Sequence, residues 1–322
     1  MNIRTDLAME AYEFLTETAD EIAGIEVKEE QINDTKITRV EVETKDAAEK
    51  LGKPVGNYVT VEIEDVSIMD SGKMEELCRL LAKEIKALGN IKEDSSVMVI
   101  GLGNRNITPD ALGPEVISCL MVTRHMLRYM PEQMPEGIRS VCAISPGVLG
   151  ITGIETEEIV RGVTEKIKPD LVICIDALAA RSIKRISRTI QLCDVGIAPG
   201  AGVGNKRRAL NGETLGVPVI AIGVPTVIDA ATITSDSLLA VTDSLKKSAK
   251  QGGEFYKMLS DINEDEQLSL IKEALYMSNN NFIVTPKDVD MMIEKAAKIV
   301  ANGINFALHE NISLEDIEMY VG

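Results

Sequence analysis

The sequence predicts an α/β fold: a mostly parallel, twisted sheet with helices on both faces and additions at its N- and C-terminal ends. Four short, continuous apolar runs, 97–100, 141–144, 171–175 and 217–222, have the character of strands buried on both faces. Helical stretches at 111–130 and 155–167 lie between them, and strands alternating with helices indicate parallel βαβ units. At 322 residues the chain is long enough for one sizeable core. The expected organisation is a single α/β domain over 7–322, mainly helical from about 228 onward.

Taken in order, residues 9–23 form a short helix followed by a polar segment. Residues 38–43 and 58–64 alternate apolar and polar, as strands with one wet face do. The stretch 73–88 places Leu77, Leu80, Leu81, Ile85 and Leu88 at helical spacing and stops at Gly89. The four buried strands and their helices follow. Residues 246–266 are polar, contain Gly252-Gly253 and read as a surface excursion. Thr285-Pro286-Lys287-Asp288 reads as a helix start, with Thr285 as N-cap and Pro286 in the first turn. It opens a helix with Val289, Met292, Ile293, Ala296 and Val300 on one face.

Composition narrows the function. Aromatic residues are 3% and Trp is absent, so the core is aliphatic and the 14 Met residues serve as packing. The net charge of −17 argues against a broad phosphate-tracking surface, and direct nucleic-acid binding is not expected. The triplet Lys206-Arg207-Arg208 reads as a solvated loop or a carboxylate partner. Five Cys without a CxxC pair suggest neither a zinc ribbon nor a disulfide framework, but buried thiols in a reducing compartment. No apolar h-region and no apolar stretch of bilayer length occur, so a cytoplasmic protein with no membrane partner is expected.

Two aspartates stand at strand-to-loop junctions, where open parallel sheets bind ligands. Asp176 ends an apolar run and should project from a strand tip. Asp110 follows the turn Gly101-Leu102-Gly103-Asn104 and precedes a helix. Two carboxyls in a partly dry cleft cannot both ionise cheaply, so one acts as acid beside the other as base. Such a pair activates water against an amide with neither metal nor covalent intermediate. Alternatively, Asp110 could simply cap its helix, and Asp176 could pair with Arg181 or cap the backbone. Gly103, Asn104, Gly147, Gly150, Gly202 and Gly204 lie in loops after strands and could aim backbone N–H groups at a substrate or oxyanion, or simply make tight turns. The Gly101-Leu102-Gly103-Asn104 turn lacks the third glycine of a dinucleotide loop. The two histidines, His125 and His309, have no evident Ser or Cys partner, which disfavours a nucleophilic triad.

Longer motifs carry a resemblance. Arg4-Thr5-Asp6-Leu7-Ala8, Gly101-Leu102-Gly103-Asn104, Thr108-Pro109-Asp110-Ala111-Leu112-Gly113-Pro114 and Ile175-Asp176-Ala177-Leu178-Ala179-Ala180-Arg181 are among them. With Gly202-Val203-Gly204-Asn205-Lys206-Arg207 and Val284-Thr285-Pro286-Lys287, they make the chain similar to the germination protease family of endospore-forming bacteria over nearly its whole length. The resemblance implies an atypical aspartic endopeptidase without cofactor, made as a zymogen and assembled as a homotetramer. It implies degradation of small acid-soluble spore proteins during germination, in the cytoplasm of the forespore or the spore core. It also implies a fold related to hydrogenase maturation proteases, with Asp110 and Asp176 as the catalytic pair. Family substrates are cut after Glu and before Phe or Ile followed by Ala. Thr5-Asp6-Leu7-Ala8 imitates that pattern, so the bond between Asp6 and Leu7 is the expected self-cleavage site and residues 1–6 the propeptide. That leader is shorter than the family usually carries.

Two other classes remain open from sequence. One is a metal-dependent endopeptidase, because hydrogenase maturation proteases place a metal-binding acid after a Gly-x-Gly-Asn turn, near Asp110. The other is a non-catalytic, phosphate-binding α/β module supported by the glycine loops alone.

Overall fold

The buried apolar runs become the middle of one nine-stranded sheet. The structure is a computed structural model that describes residues 5–16, 22–63, 69–198, 208–249, 253–260, 264–275 and 282–321. Its strands are β1 (Ile25–Ile32), β2 (Thr35–Val42), β3 (Gly56–Glu62), β4 (Val97–Gly101), β5 (Val141–Ile144), β6 (Leu171–Ala180), β7 (Thr189–Cys193), β8 (Val219–Asp229) and β9 (Ile283–Val284). The helices before β6 are α1 (Ala8–Thr16), α2 (Lys45–Leu51), α3 (Ser71–Gly89), α4 (Leu112–Ser118), α5 (Arg124–Tyr129), α6 (Leu149–Thr152) and α7 (Thr156–Ile167). Those after it are α8 (Gly212–Leu215), α9 (Ala230–Ser248), α10 (Glu254–Ser260), α11 (Glu264–Leu275), α12 (Val289–Leu308) and α13 (Leu314–Val321).

The strand order is β1-β2-β3-β7-β8-β6-β4-β5, with β9 against the end of β8. From β8 through β6 and β4 to β5 the pairing is parallel, as the apolar runs predict. From β1 through β2, β3 and β7 to β8 it is antiparallel, so the sheet is mixed. Within that antiparallel half, β7 escapes a sequence reading because Thr189 and Gln191 interrupt its apolar run, although all five of its residues are buried.

Alternation along the strands sends side chains to two covered faces. On one, Val97, Val99, Ile173, Ile175, Ile220, Ile222 and Leu192 pack beneath α3, α4 and α12. Gly303 lets α12 approach α3 closely: a Cβ there would sit 3.0 Å from that of Leu81. The other face is covered in two patches. Met98, Ile100, Val172 and Cys174 pack with Val160 of α7 and Leu215 of α8. Val40, Val42, Tyr58, Cys193 and Ala221 pack with Ala8 and Ala11 of α1 and Ala47 of α2. A cavity lined by Tyr58, Cys193 and Ala221 of one patch and Leu102 of the other opens here.

Several local expectations change. The helix expected over 111–130 divides into α4 and α5. Buried Asn305 of α12 accepts from Met121 N (3.0 Å), and Thr123 N donates to Val141 O (3.0 Å), which pulls the intervening backbone out of helical bonding. Thr285 does not cap a helix. The helix starts at Val289 with Asp288 in the cap position, and Thr285 Oγ1 donates to Thr226 O at 2.9 Å. The stretch 246–266, read as a surface excursion, is half-buried or exposed where its burial is described, and its described residues hold the end of α9, all of α10 and the start of α11. The first helix is described over Ala8–Thr16, and the remainder of the expected 9–23 lies partly outside the described residues. α3 ends at Gly89 as expected, with Asn90 left-handed at φ +45°.

His309 follows α12 and is buried, its Nδ1 accepting from Arg139 N at 3.3 Å. Burial, then the nearby Arg139 charge, pushes its pKa down to about 4. The folded imidazole is neutral while the unfolded one gains a proton below about 6.5. Stability is therefore full above that pH and declines as the pH falls toward 4. Urea unfolding at pH 7.5 and pH 4.5 is expected to show a loss of about 2–3 kcal/mol from this residue, smaller in His309→Gln.

Candidate active site

β4 leads to β5 on one side, and the chain then returns to place β6 on the other. The order thus reverses between β4 and β6, and a crevice opens at their carboxyl ends. Pairing of β4 with β6 stops at Gly101 and Ile175, where Leu102 N donates to Ile175 O at 2.8 Å. β6 does not stop there. It continues along β8 to Ala180, so Asp176 stands sixth in a ten-residue strand rather than at its tip. The apolar run ends at Ile175, but the eleven-residue β8 supplies backbone partners beyond it. Asp176 is buried, and its Oδ1 accepts from Ala177 N at 2.9 Å.

After β4 the chain turns back through Gly103 to a single 3₁₀ turn, Thr108–Asp110. Asn104 N donates to both the carbonyl (3.0 Å) and Oδ2 (2.8 Å) of Asp110. Gly103 has φ +106°, and a Cβ there would lie 2.0 Å from Asp110 O. Only glycine fits that turn. Asp110 does not cap α4: Ala111 holds the cap position, with no side-chain cap bond. Thr226 Oγ1 of β8 donates to Pro109 O at 2.7 Å and ties the turn to the sheet.

Asp110 and Asp176 line one cavity of about 590 Å³ together with Gly103, Gly147 and Asp6. Asp176 pairs across with Gly223 of β8, and Gly223 with Gln191 of β7. Residues directly opposed across strands point to one face, so the Asp176 and Gln191 side chains flank Gly223, and the Leu178 side chain fills the space that a Cβ at Gly223 would take. Two strand spacings separate them, about 10 Å between Cα atoms.

The N-terminal segment enters this space. Asp6 N donates to Ala179 O (3.1 Å), and Ala179 N donates to Asp6 Oδ2 (2.8 Å), on a stretch of β6 that β4 no longer accompanies. The Asp6 carbonyl accepts from Lys53 Nζ (2.9 Å) and Gln191 Nε2 (3.1 Å), while Ala8 N donates to Gln191 Oε1 (2.6 Å). Leu7 is fully buried. Burial raises the Asp6 pKa against the Ala179 N–H and the charge of Lys53. Burial likewise lowers that of Lys53. Glu10 accepts from Arg181 N (2.7 Å), Ser182 N (2.9 Å) and the Thr5 hydroxyl, anchoring both sides of the segment.

The remaining sequence candidates divide. Gly147, at φ +74°, lines the cavity. Asn104 and Gly150 do not line it, although the Asn104 N–H holds Asp110. Gly202 and Gly204 lie outside the described residues, while Ile197, Ala198, Ala209 and Asn211 on either side of that stretch line the cavity. Arg208 pairs with Glu157 at 3.5 Å, and Arg181 with Asp236 at 2.7 Å. Neither histidine lines the cavity. Cys193 does, but burial pushes its thiol up to about 11, which keeps it protonated at neutral pH. Among the described residues no three or more His, Cys, Asp or Glu side chains gather as a metal site would require. Lys53 and Gln191 are the residues the sequence did not reveal. A Gln between Ile190 and Leu192 in a short β-prone run was the available signal.

The sequence model of germination proteases matches residues 3–261 and 240–321. The chain belongs to the germination protease family. The germination protease of Clostridium tetani is 50% identical to it over 100% of both chains. That of Clostridium perfringens is 48% identical over 99% of each, and that of a Geobacillus species 42% identical over 99% of this chain and 97% of the other. Among solved structures, a NiFe hydrogenase maturation protease, HycI of Thermococcus kodakarensis, aligns with 16% identity and a TM-score of 0.28, covering 60% of this chain and 99% of that one. The cavity described above is thus the candidate active site of a germination protease family peptidase.

Gly103→Ala is expected to cost about 1–3 kcal/mol of stability and to cut peptide hydrolysis more than tenfold by displacing Asp110. Gly150→Ala, whose added Cβ meets no atom within 4 Å, is expected to leave both unchanged. Thermal melting and a peptide-hydrolysis assay on the two variants check this.

Proposed function

We propose that this chain is a self-processing spore endopeptidase. It degrades small acid-soluble spore proteins in the forespore or spore core during germination, using Asp110 and Asp176 and no cofactor. The observation that carries this reading is the shared cavity: both aspartates line it, and the peptide bond after Asp6 is held within the same space. One carboxylate of the pair takes a proton from water as its oxygen adds to the carbonyl carbon. The other, protonated, donates to the departing amide nitrogen as the C–N bond breaks. Cleavage after an acidic residue fits the Asp6 carboxylate on Ala179 N–H, and an apolar residue next fits the fully buried Leu7. Residues 1–6 then act as the propeptide of a 7–322 peptidase domain. Leu238, Val241 and Leu245 of α9, with Phe255 and Met258 of α10, are exposed apolar residues, which supports assembly into a homotetramer.

The test is to express the chain beside Asp110→Asn and Asp176→Asn and follow the N-terminal mass with time. The parent is expected to lose residues 1–6, and each variant to be slowed by at least about a thousandfold. Equal rates in parent and variants would refute the paired-aspartate mechanism, and release at another bond would refute the Asp6 assignment.

A further inference from the structure

The Asp6 carbonyl is the one that would be attacked in self-processing, and two side-chain donors already reach it, Lys53 Nζ at 2.9 Å and Gln191 Nε2 at 3.1 Å. Gln191 also grips the chain beyond the bond, accepting from Ala8 N at 2.6 Å. One carboxamide therefore spans the bond, with a donor on its carbonyl and an acceptor for the second N–H after it. Lys53 adds a bond to Thr5 O at 3.1 Å, fixing the carbonyl before it. Gln191 is buried in the middle of the sheet, a costly place for an amide unless both its ends are used. On release of residues 1–6 the Asp6 carbonyl departs, and both donors are left facing the cavity that Asp176 lines from across Gly223.

We propose that Gln191 and Lys53 form the carbonyl-binding subsite of this peptidase, gripping first the bond after Asp6 and then the equivalent bond of each substrate peptide. The proposal rests on the self-processing reading above. It moves the oxyanion role from the glycine-loop backbone to two side chains on β7 and on the loop between α2 and β3. As water adds, negative charge grows on the carbonyl oxygen, and donors already aimed at it stabilise that charge without reorganising. The double grip of Gln191 sets which bond stands opposite the aspartates.

The test uses the full chain and measures release of residues 1–6 by mass spectrometry in the parent, Gln191→Glu, Lys53→Met and Lys53→Arg. Gln191→Glu removes the donor and keeps the acceptor, and Lys53→Met removes the second donor. Each is expected to slow release by about 10²–10³-fold, with Lys53→Arg recovering part of the rate. On the processed enzyme with a Glu-Ile-Ala peptide, kcat is expected to fall more than KM rises. If Gln191→Glu fails to fold, Lys53→Met and Lys53→Arg carry the test. Parental release rates in Gln191→Glu and Lys53→Met, even with lowered melting temperatures, would show a structural role and overturn the inference alone. A parent that never releases residues 1–6 would overturn the self-processing reading and this inference with it.

Discussion

The site depends on one asymmetry of backbone pairing. β4 leaves β6 after Gly101 and Ile175, whereas β8 accompanies β6 as far as Ala180. Strand backbone must find hydrogen-bond partners or water, and the stretch beyond Ile175 has lost one of its two neighbours. Asp176 sits on that stretch with its carboxyl in the crevice, and Ala179 offers both backbone groups to Asp6. The bound N-terminal segment and Asp176 thus share one strand. This is the logic of an extended peptide added to a sheet edge, applied here to a single residue.

Burial without stranded polar groups explains why the segment stays in place. Asp6, Lys53 and Gln191 are all withdrawn from solvent to some degree, and each is answered by a specific partner. The raised Asp6 pKa and the lowered Lys53 pKa show that desolvation opposes their charges, so the segment is held by geometry more than by a cheap ion pair. Glu10, in α1, accepts from Arg181 N and Ser182 N as well as from the Thr5 hydroxyl. A cut after Asp6 would widen the cavity that Asp6 lines, and the Glu10 bonds tie α1 to the chain at the end of β6.

Much of this was legible in the residues. The four apolar runs marked the parallel half of the sheet, and the Gly103 turn and Asp110 could be placed beside it because φ-permissive glycine and an acid before a helix are local signals. The antiparallel half was less visible: β1 is largely exposed and charged, and β7 is broken by Thr189 and Gln191. The split of the 111–130 helix was hidden for a similar reason, since its cause, Asn305, lies about 180 residues further along the chain.

By itself the sequence determined the strand periodicity, the glycine-shaped turn, the two aspartates and the acid–apolar–Ala signature near the N-terminus, because each is written within a few neighbouring residues. Only the tertiary structure decided that Asp176 lies within a strand, that Gln191 stands across Gly223 from it, and that Lys53 reaches the Asp6 carbonyl. Those facts follow from which strands pair and where one pairing stops, and register between distant segments is fixed by the packed sheet as a whole.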